Sequence, residues 1–247
     1  MTHTFGLVRY TNTLHAWGLD LPGLIVGAPD DAALFQAIPL SLAEHLAWLR
    51  RCGEDAADGL AWEVVEEIDG ESLGATGGEF IFEAEKAPLS DADLEHLIAR
   101  LSFSRAELLS AVDGLPDAIL DWEPPDYAIG RRDPWAPEGR TIREIFTHVL
   151  QLEAYYRDGL RDGPSAGIFG ATGDPAVERG ATVDRLRALP AADRSRVWMP
   201  VRPGRTTPEP WTVRKVVRRI ISHERMHAAE ITQRRTWLLL GVPRVQT

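Results

Sequence analysis

Cysteine is almost missing from this chain. Cys52 stands alone among 247 residues, so no internal disulfide and no Cys-based zinc motif can be built. Any metal centre must rest on histidines and carboxylates. Long hydrophobic runs are missing as well: no stretch approaches the ~18 consecutive apolar residues of a membrane-spanning helix. The opening MTHTFGLVRY has no basic segment followed by an apolar core, so a cytoplasmic location with no membrane partner is expected. With 44% hydrophobic and 26% charged residues, the composition excludes a disordered or collagen-like chain and fits one large or two small globular domains.

Positive charge is scarce in the first third. Residues 1–88 hold 4 basic and 15 acidic side chains, a net of −11, whereas the remaining 159 residues hold 23 basic and 22 acidic ones. The change of sign marks a domain boundary, here placed between segments 1–86 and 87–247. An acidic domain repels the phosphate backbone, which disfavours nucleic acid as a partner. Such a surface suits a basic partner or serves simply to keep the domain solvated.

The fold class expected is α+β. Residues 5–10, 15–21 and 24–28 alternate as short strands, with Pro22-Gly23 supplying a turn, and make a three-stranded meander. Asp30 or Asp31 then caps a helix with Leu34, Phe35, Ile38, Leu42, Leu46 and Leu49 on one face, and Pro39 inside it predicts a kink or a late start. Residues 62–68 and 79–85 read as further strands, joined by a loop containing Gly70, Gly74, Gly77 and Gly78.

From about residue 89 the apolar period becomes 3.6. Ser90 with Asp93 opens a first helix that Gly114 closes, and Thr141 with Glu144 forms a capping box for a second, after a loop rich in Pro and Trp (Trp122, Pro124, Pro125, Pro134, Trp135, Pro137). Asp174 before Pro175 starts a third helix that stops near Pro190, and Thr212 caps a long fourth one ending at Gly241 and Pro243. Four such helices predict an up-down four-helix bundle.

Seven histidines are present. His3, His15, His45 and His96 read as structural or surface residues. The other three differ because of where helical geometry puts them. At 100° per residue His227 lies about 20° and His223 about 60° from Ile220, beside Val213, Val216 and Ile231, while Arg214, Lys215, Arg218 and Arg225 fall on the opposite side. Two imidazoles one turn apart on a buried face make a chelating pair. His148 on the second helix lies about 60° from Ile145, on the side of Tyr155, and leans into the same interior. A three-nitrogen site with an open coordination position is a catalytic type of metal centre. Glu224 also projects inward, as general base or as a carboxylate orienting an imidazole; Tyr155 and Glu153 are weaker candidates to line the pocket.

His223 to His227 also spell H-E-x-x-H, the helix motif of zinc proteases. Those enzymes need a third ligand downstream. Glu230 and Gln233 stand where the extended motif wants glycine and histidine, and no acidic residue follows Glu230. The protease reading is therefore set aside.

Two resemblances accompany these patterns. The run from His15 to Gly23, followed by Asp30, Asp31 and a long amphipathic helix, resembles the HicB-like antitoxin domain over roughly residues 5–55. It implies a small accessory unit that packs on its neighbour or pairs with a second copy as a homodimer. Gly139 to His148, Trp211 to Arg214, and His223 to Ile231 resemble the DinB-like superfamily over roughly residues 89–242. That resemblance implies a bundle-core metal, zinc or nickel, on His148, His223 and His227. It further implies transfer of a low-molecular-weight thiol to a small electrophilic substrate, or a related hydrolysis or isomerisation. Many members of that family carry another histidine where this chain has Arg219, which helical geometry turns toward the bundle edge. The alternative is a non-catalytic protein in which the metal staples helices and the acidic domain binds a partner.

Overall fold

The computed structural model describes residues 2–56, 58–70, 80–123, 141–165, 171–202 and 209–241. Strands β1 (His3–Tyr10), β2 (Thr13–Gly18) and β3 (Ile25–Ala28) form the meander, followed by α1 (Asp31–Arg51) and β4 (Trp62–Asp69). The sheet order is β3-β2-β1-β4, with β4 parallel to β1. A parallel pair needs a crossover. α1 provides it, burying Leu34, Ile38, Leu42, Leu46 and Leu49. Asp30 accepts from the Ala33 amide at 2.8 Å as its cap, and the helix runs unbroken through Pro39. α1 is long and apolar enough to cross a membrane by length and composition alone, but here those leucines sit in the core.

The strand expected at 79–85 is absent from its described part, residues 80–85. Phe80 and Phe82 alternate as strand residues would, yet they pack as side chains over Trp17, and one 3-10 turn (Glu83–Lys86) follows. Phe82 fills the space above Gly6, where a Cβ would lie 2.3 Å from its ring. The local backbone bonds to carboxylates in place of a ladder: the Glu83 amide donates to Glu66 and the Phe82 amide to Glu85. The expected Gly74–Gly78 part of the loop, and Pro124 to Pro137 of the later one, lie outside the described residues.

The second segment contains α2 (Asp91–Val112), the single turn α3 (Asp117–Leu120), α4 (Ile142–Arg157), α5 (Pro175–Arg187) and α6 (Val213–Leu239). Each expected cap is formed: reciprocal boxes at Ser90/Asp93 and Thr141/Glu144, Asp174 ahead of Pro175, and Thr212 accepting from the Lys215 amide. Two-residue strands β5 (Gly163–Pro164) and β6 (Pro200–Val201) pair in parallel and tie the connections on either side of α5 together.

The bundle does not alternate up and down as expected. α2 and α4 each pack against α5 and α6. Arg214 donates to the Pro88 carbonyl and Arg235 to that of Ala111, so α2 and α6 run parallel. His148 and Tyr156 of α4 meet His223 and Arg219 respectively, so α4 opposes α6. Arg105 reaches the Pro175 carbonyl and Arg187 reaches Glu95, so α5 opposes α2. The order is up-down-down-up, with α2 and α4 on one diagonal. Only short loops force consecutive helices to be antiparallel neighbours, and the 113–141 and 188–212 connections are long enough to cross the bundle.

The basic side of α6 is not a solvent face either. Lys215 and Arg218 are fully buried. Arg218 donates to Glu85 at 2.6 Å and stacks over Trp17 at 4.3 Å, while Arg225 hydrogen-bonds His45 and lies over Trp48 at 4.7 Å. α6 is thus a shared wall: one side faces the bundle, the other the N-terminal segment, and a single apolar core runs from the sheet through α1 to all four bundle helices. Gly23, at φ 96°, turns the chain so close to α6 that a Cβ would meet Ile221 Cγ2 at 2.2 Å.

Candidate metal centre

His148 from the middle of α4 and His223 and His227 from α6 come together as the sequence geometry predicts. The Nε2 of His223 stands 3.1 Å from the Nε2 of His148 and 3.1 Å from that of His227. The rings meet edge-on, at interplanar angles of 61°, 86° and 85°. His227 is buried and the other two are half-buried, so the centre is open on one side. Among the described residues this is the one cluster of three or more metal-ligating side chains, and it has no fourth member.

The donor chemistry fits a cation. A ring nitrogen carries either one hydrogen or one in-plane lone pair, so His223 Nε2 cannot satisfy both neighbours by hydrogen bonding when each is neutral and presents the same function. Three lone pairs directed at a common centre are satisfied together by a metal, for which tetrahedral bonds of 2.0–2.1 Å would set nitrogens about 3.4 Å apart. The His227 tautomer is already set for this: its Nδ1 bonds Glu230 Oε2 at 2.6 Å, which places the hydrogen on Nδ1 and the lone pair on Nε2. Burial works against ionisation of Glu230, but the His227 hydrogen bond and the Arg234 charge outweigh it and hold its pKa at about 2. Arg234 also donates to Glu230 at 2.6 Å.

Glu230 was not singled out from the sequence as the imidazole-orienting carboxylate; the residue named for that role was Glu224. Its signal was available as a carboxylate three positions after a ligand histidine. Glu224 itself, the residue after His223, is buried and accepts from Arg105 Nε and Arg179 Nη2, both at 2.7 Å. Glu153, also buried, pairs with the same two arginines. Each bundle helix contributes one member to this quartet: Arg105 from α2, Glu153 from α4, Arg179 from α5 and Glu224 from α6. Burial alone would release the Arg105 proton, but the two carboxylates prevail and raise its pKa. Tyr155 points elsewhere, donating to Glu209 at 2.5 Å beneath the Arg202 guanidinium.

A cavity of about 690 Å³ lies on the far side of α6, lined by Trp48, Glu107, Arg225 and Arg235 among others, and none of the three histidines borders it. The triad is bordered instead by Tyr156, whose ring meets His223 edge-on at 5.9 Å and leans on Trp211. Gly159 allows that approach, since a Cβ there would lie 2.6 Å from the Trp211 ring.

One solved structure, YfiT from Bacillus subtilis, described as a probable metal-dependent hydrolase with an unusual four-helix bundle topology, aligns with 66% of this chain and 95% of its own. The sequence identity is 21% and the TM-score 0.43. No curated protein matches the chain. The DinB superfamily matches residues 100–231, a span that includes His148, His223 and His227. That match covers more than half of the sequence, and the chain belongs to the DinB superfamily.

Proposed function

We propose that this protein is a metal-dependent enzyme that activates a low-molecular-weight thiol or a water molecule for attack on a small electrophilic substrate. The observation that carries the reading is the convergence of three imidazole Nε2 atoms with no fourth ligand among the described residues. When bound there, a divalent metal such as zinc or nickel would lower the pKa of a thiol or water at its open position and yield a nucleophile near neutral pH. His148, His223 and His227 hold the cation, and Glu230 keeps the His227 lone pair turned toward it. Tyr156 walls one side of the centre. Glu224 works through position: its carboxylate is engaged by Arg105 and Arg179, so it ties α6 to α2 and α5 and does not serve as the base.

The N-terminal segment, which we read as HicB-like from the run His15 to Gly23 followed by Asp30, Asp31 and a long amphipathic helix, buttresses α6 from behind, and we place the protein in the cytoplasm. Cobalt substitution tests the catalytic reading directly. Addition of a low-molecular-weight thiol to the cobalt-loaded protein should produce a thiolate-to-metal charge-transfer band, absent in His223→Ala. Cobalt binding with no response to thiol and no hydrolysis of activated esters would leave only a structural metal.

A further inference from the structure

Arg219 lies one helical turn before His223 on α6, at the seam between sheet and bundle. Its guanidinium stands 5.2 Å from the Tyr156 ring of α4 and 5.9 Å from the Trp17 ring of β2. Nη2 donates to the Tyr156 hydroxyl at 3.3 Å. Nε is buried and has no hydrogen-bond partner. No carboxylate among the described residues pairs with Arg219, although its neighbour Arg218 takes Glu85 and Arg234 takes Glu230. Lys215 and Arg218 are buried on the same stretch of α6, where Glu85 meets the Arg218 charge and burial presses Lys215 toward its neutral form. On β2, burial and then the Arg219 charge press the His15 imidazole toward its neutral form.

A half-buried guanidinium with an unused donor and no counter-ion is a poor structural element, because burying charge without a partner costs free energy. It is a good receptor for an anion, since its fork matches a carboxylate. The Tyr156 ring neighbours both Arg219 and His223, so a group bound at Arg219 shares one aromatic wall with the triad. We propose that Arg219, held between Trp17 and Tyr156, anchors a carboxylate group of the substrate, so that the substrates are small carboxylates and the N-terminal segment supplies one wall of their site. This rests on the triad being the metal centre.

The test is calorimetric titration of the zinc-loaded full-length protein with succinate and with propionate, for wild type, Arg219→Gln and Arg219→Lys, with zinc content measured on each sample. One carboxylate of succinate can reach the metal while the other meets Arg219; propionate has only one. Wild type should bind succinate at least about tenfold more tightly than propionate. That preference should vanish in Arg219→Gln and return in part in Arg219→Lys. Without ligand, Arg219→Gln should melt no lower than wild type, whereas a structural arginine would lower the melting temperature when removed. Full zinc content without a succinate preference in wild type, or with the preference kept in Arg219→Gln, overturns the Arg219 assignment alone. Failure of the wild type to retain zinc overturns the metal reading beneath it.

Discussion

At the residue scale the centre depends on two layers of charge. The imidazoles are legible in the sequence because three helical positions and a 100° step suffice to place them on one interior. The Arg105–Glu153–Arg179–Glu224 quartet is not legible, because its members are brought together from four helices and a local pattern such as H-E-x-x-H suggests another use for Glu224. Removing one member strands the opposing charge in a dry interior. Glu224→Gln should therefore lower unfolding free energy by about 3–5 kcal/mol in urea titration, and a loss near zero would deny the quartet its structural role. Glu230→Gln should act differently, leaving the fold intact while weakening metal affinity about 10–100-fold, as measured by competition with a chromogenic chelator. Unchanged affinity would show that the His227 tautomer needs no fixing.

At the element scale, helix ends follow from sequence because capping is local: Ser90, Thr141, Asp174 and Thr212 each bond an amide two or three residues on. Pairing and topology are not local. Phe80 and Phe82 have the alternation of a strand, but the tertiary packing over Gly6 and Trp17 claims the rings and leaves the backbone to carboxylates. Helix order escaped for a similar reason, since amphipathic faces identify a bundle but long connections decide which helices are neighbours. The turn at Gly23 is where the meander touches α6. Gly23→Ala forces a side chain into the left-handed region and against Ile221, and should cost about 1–3 kcal/mol of stability in thermal or chemical unfolding. A neutral substitution would mean the seam is loose.

For the whole molecule, part of the division of charge seen in the sequence is met inside the chain. Glu54 and Glu85 of the acidic segment bind Arg100 and Arg218 of the other, and the basic side of α6 is the surface on which the N-terminal segment rests. Sequence reading found the imbalance but not its target, because a helical wheel shows which residues share a face and not what covers it. His45 reports on this seam. Burial first, then the charges of Arg225 and Arg100, depress its pKa well below 6.5. The folded protein therefore keeps His45 neutral while the unfolded chain takes up a proton as pH falls below about 6.5, so stability declines with falling pH across that range. His45→Gln, which can still accept from Arg225, should flatten the fall in melting temperature between about pH 7 and 5 relative to wild type; an identical slope would place the acid sensitivity elsewhere.

The central claim is that α4 and α6 hold one metal ion between them, and metal content by plasma mass spectrometry, on untagged protein beside His148→Ala and His227→Ala, tests it most directly. The account predicts close to one zinc or nickel per chain in wild type and a marked loss in both variants, each of which removes a ligand from a different helix. Wild-type protein that takes up no divalent metal even after incubation with zinc and nickel, or variants that retain it fully, would contradict it.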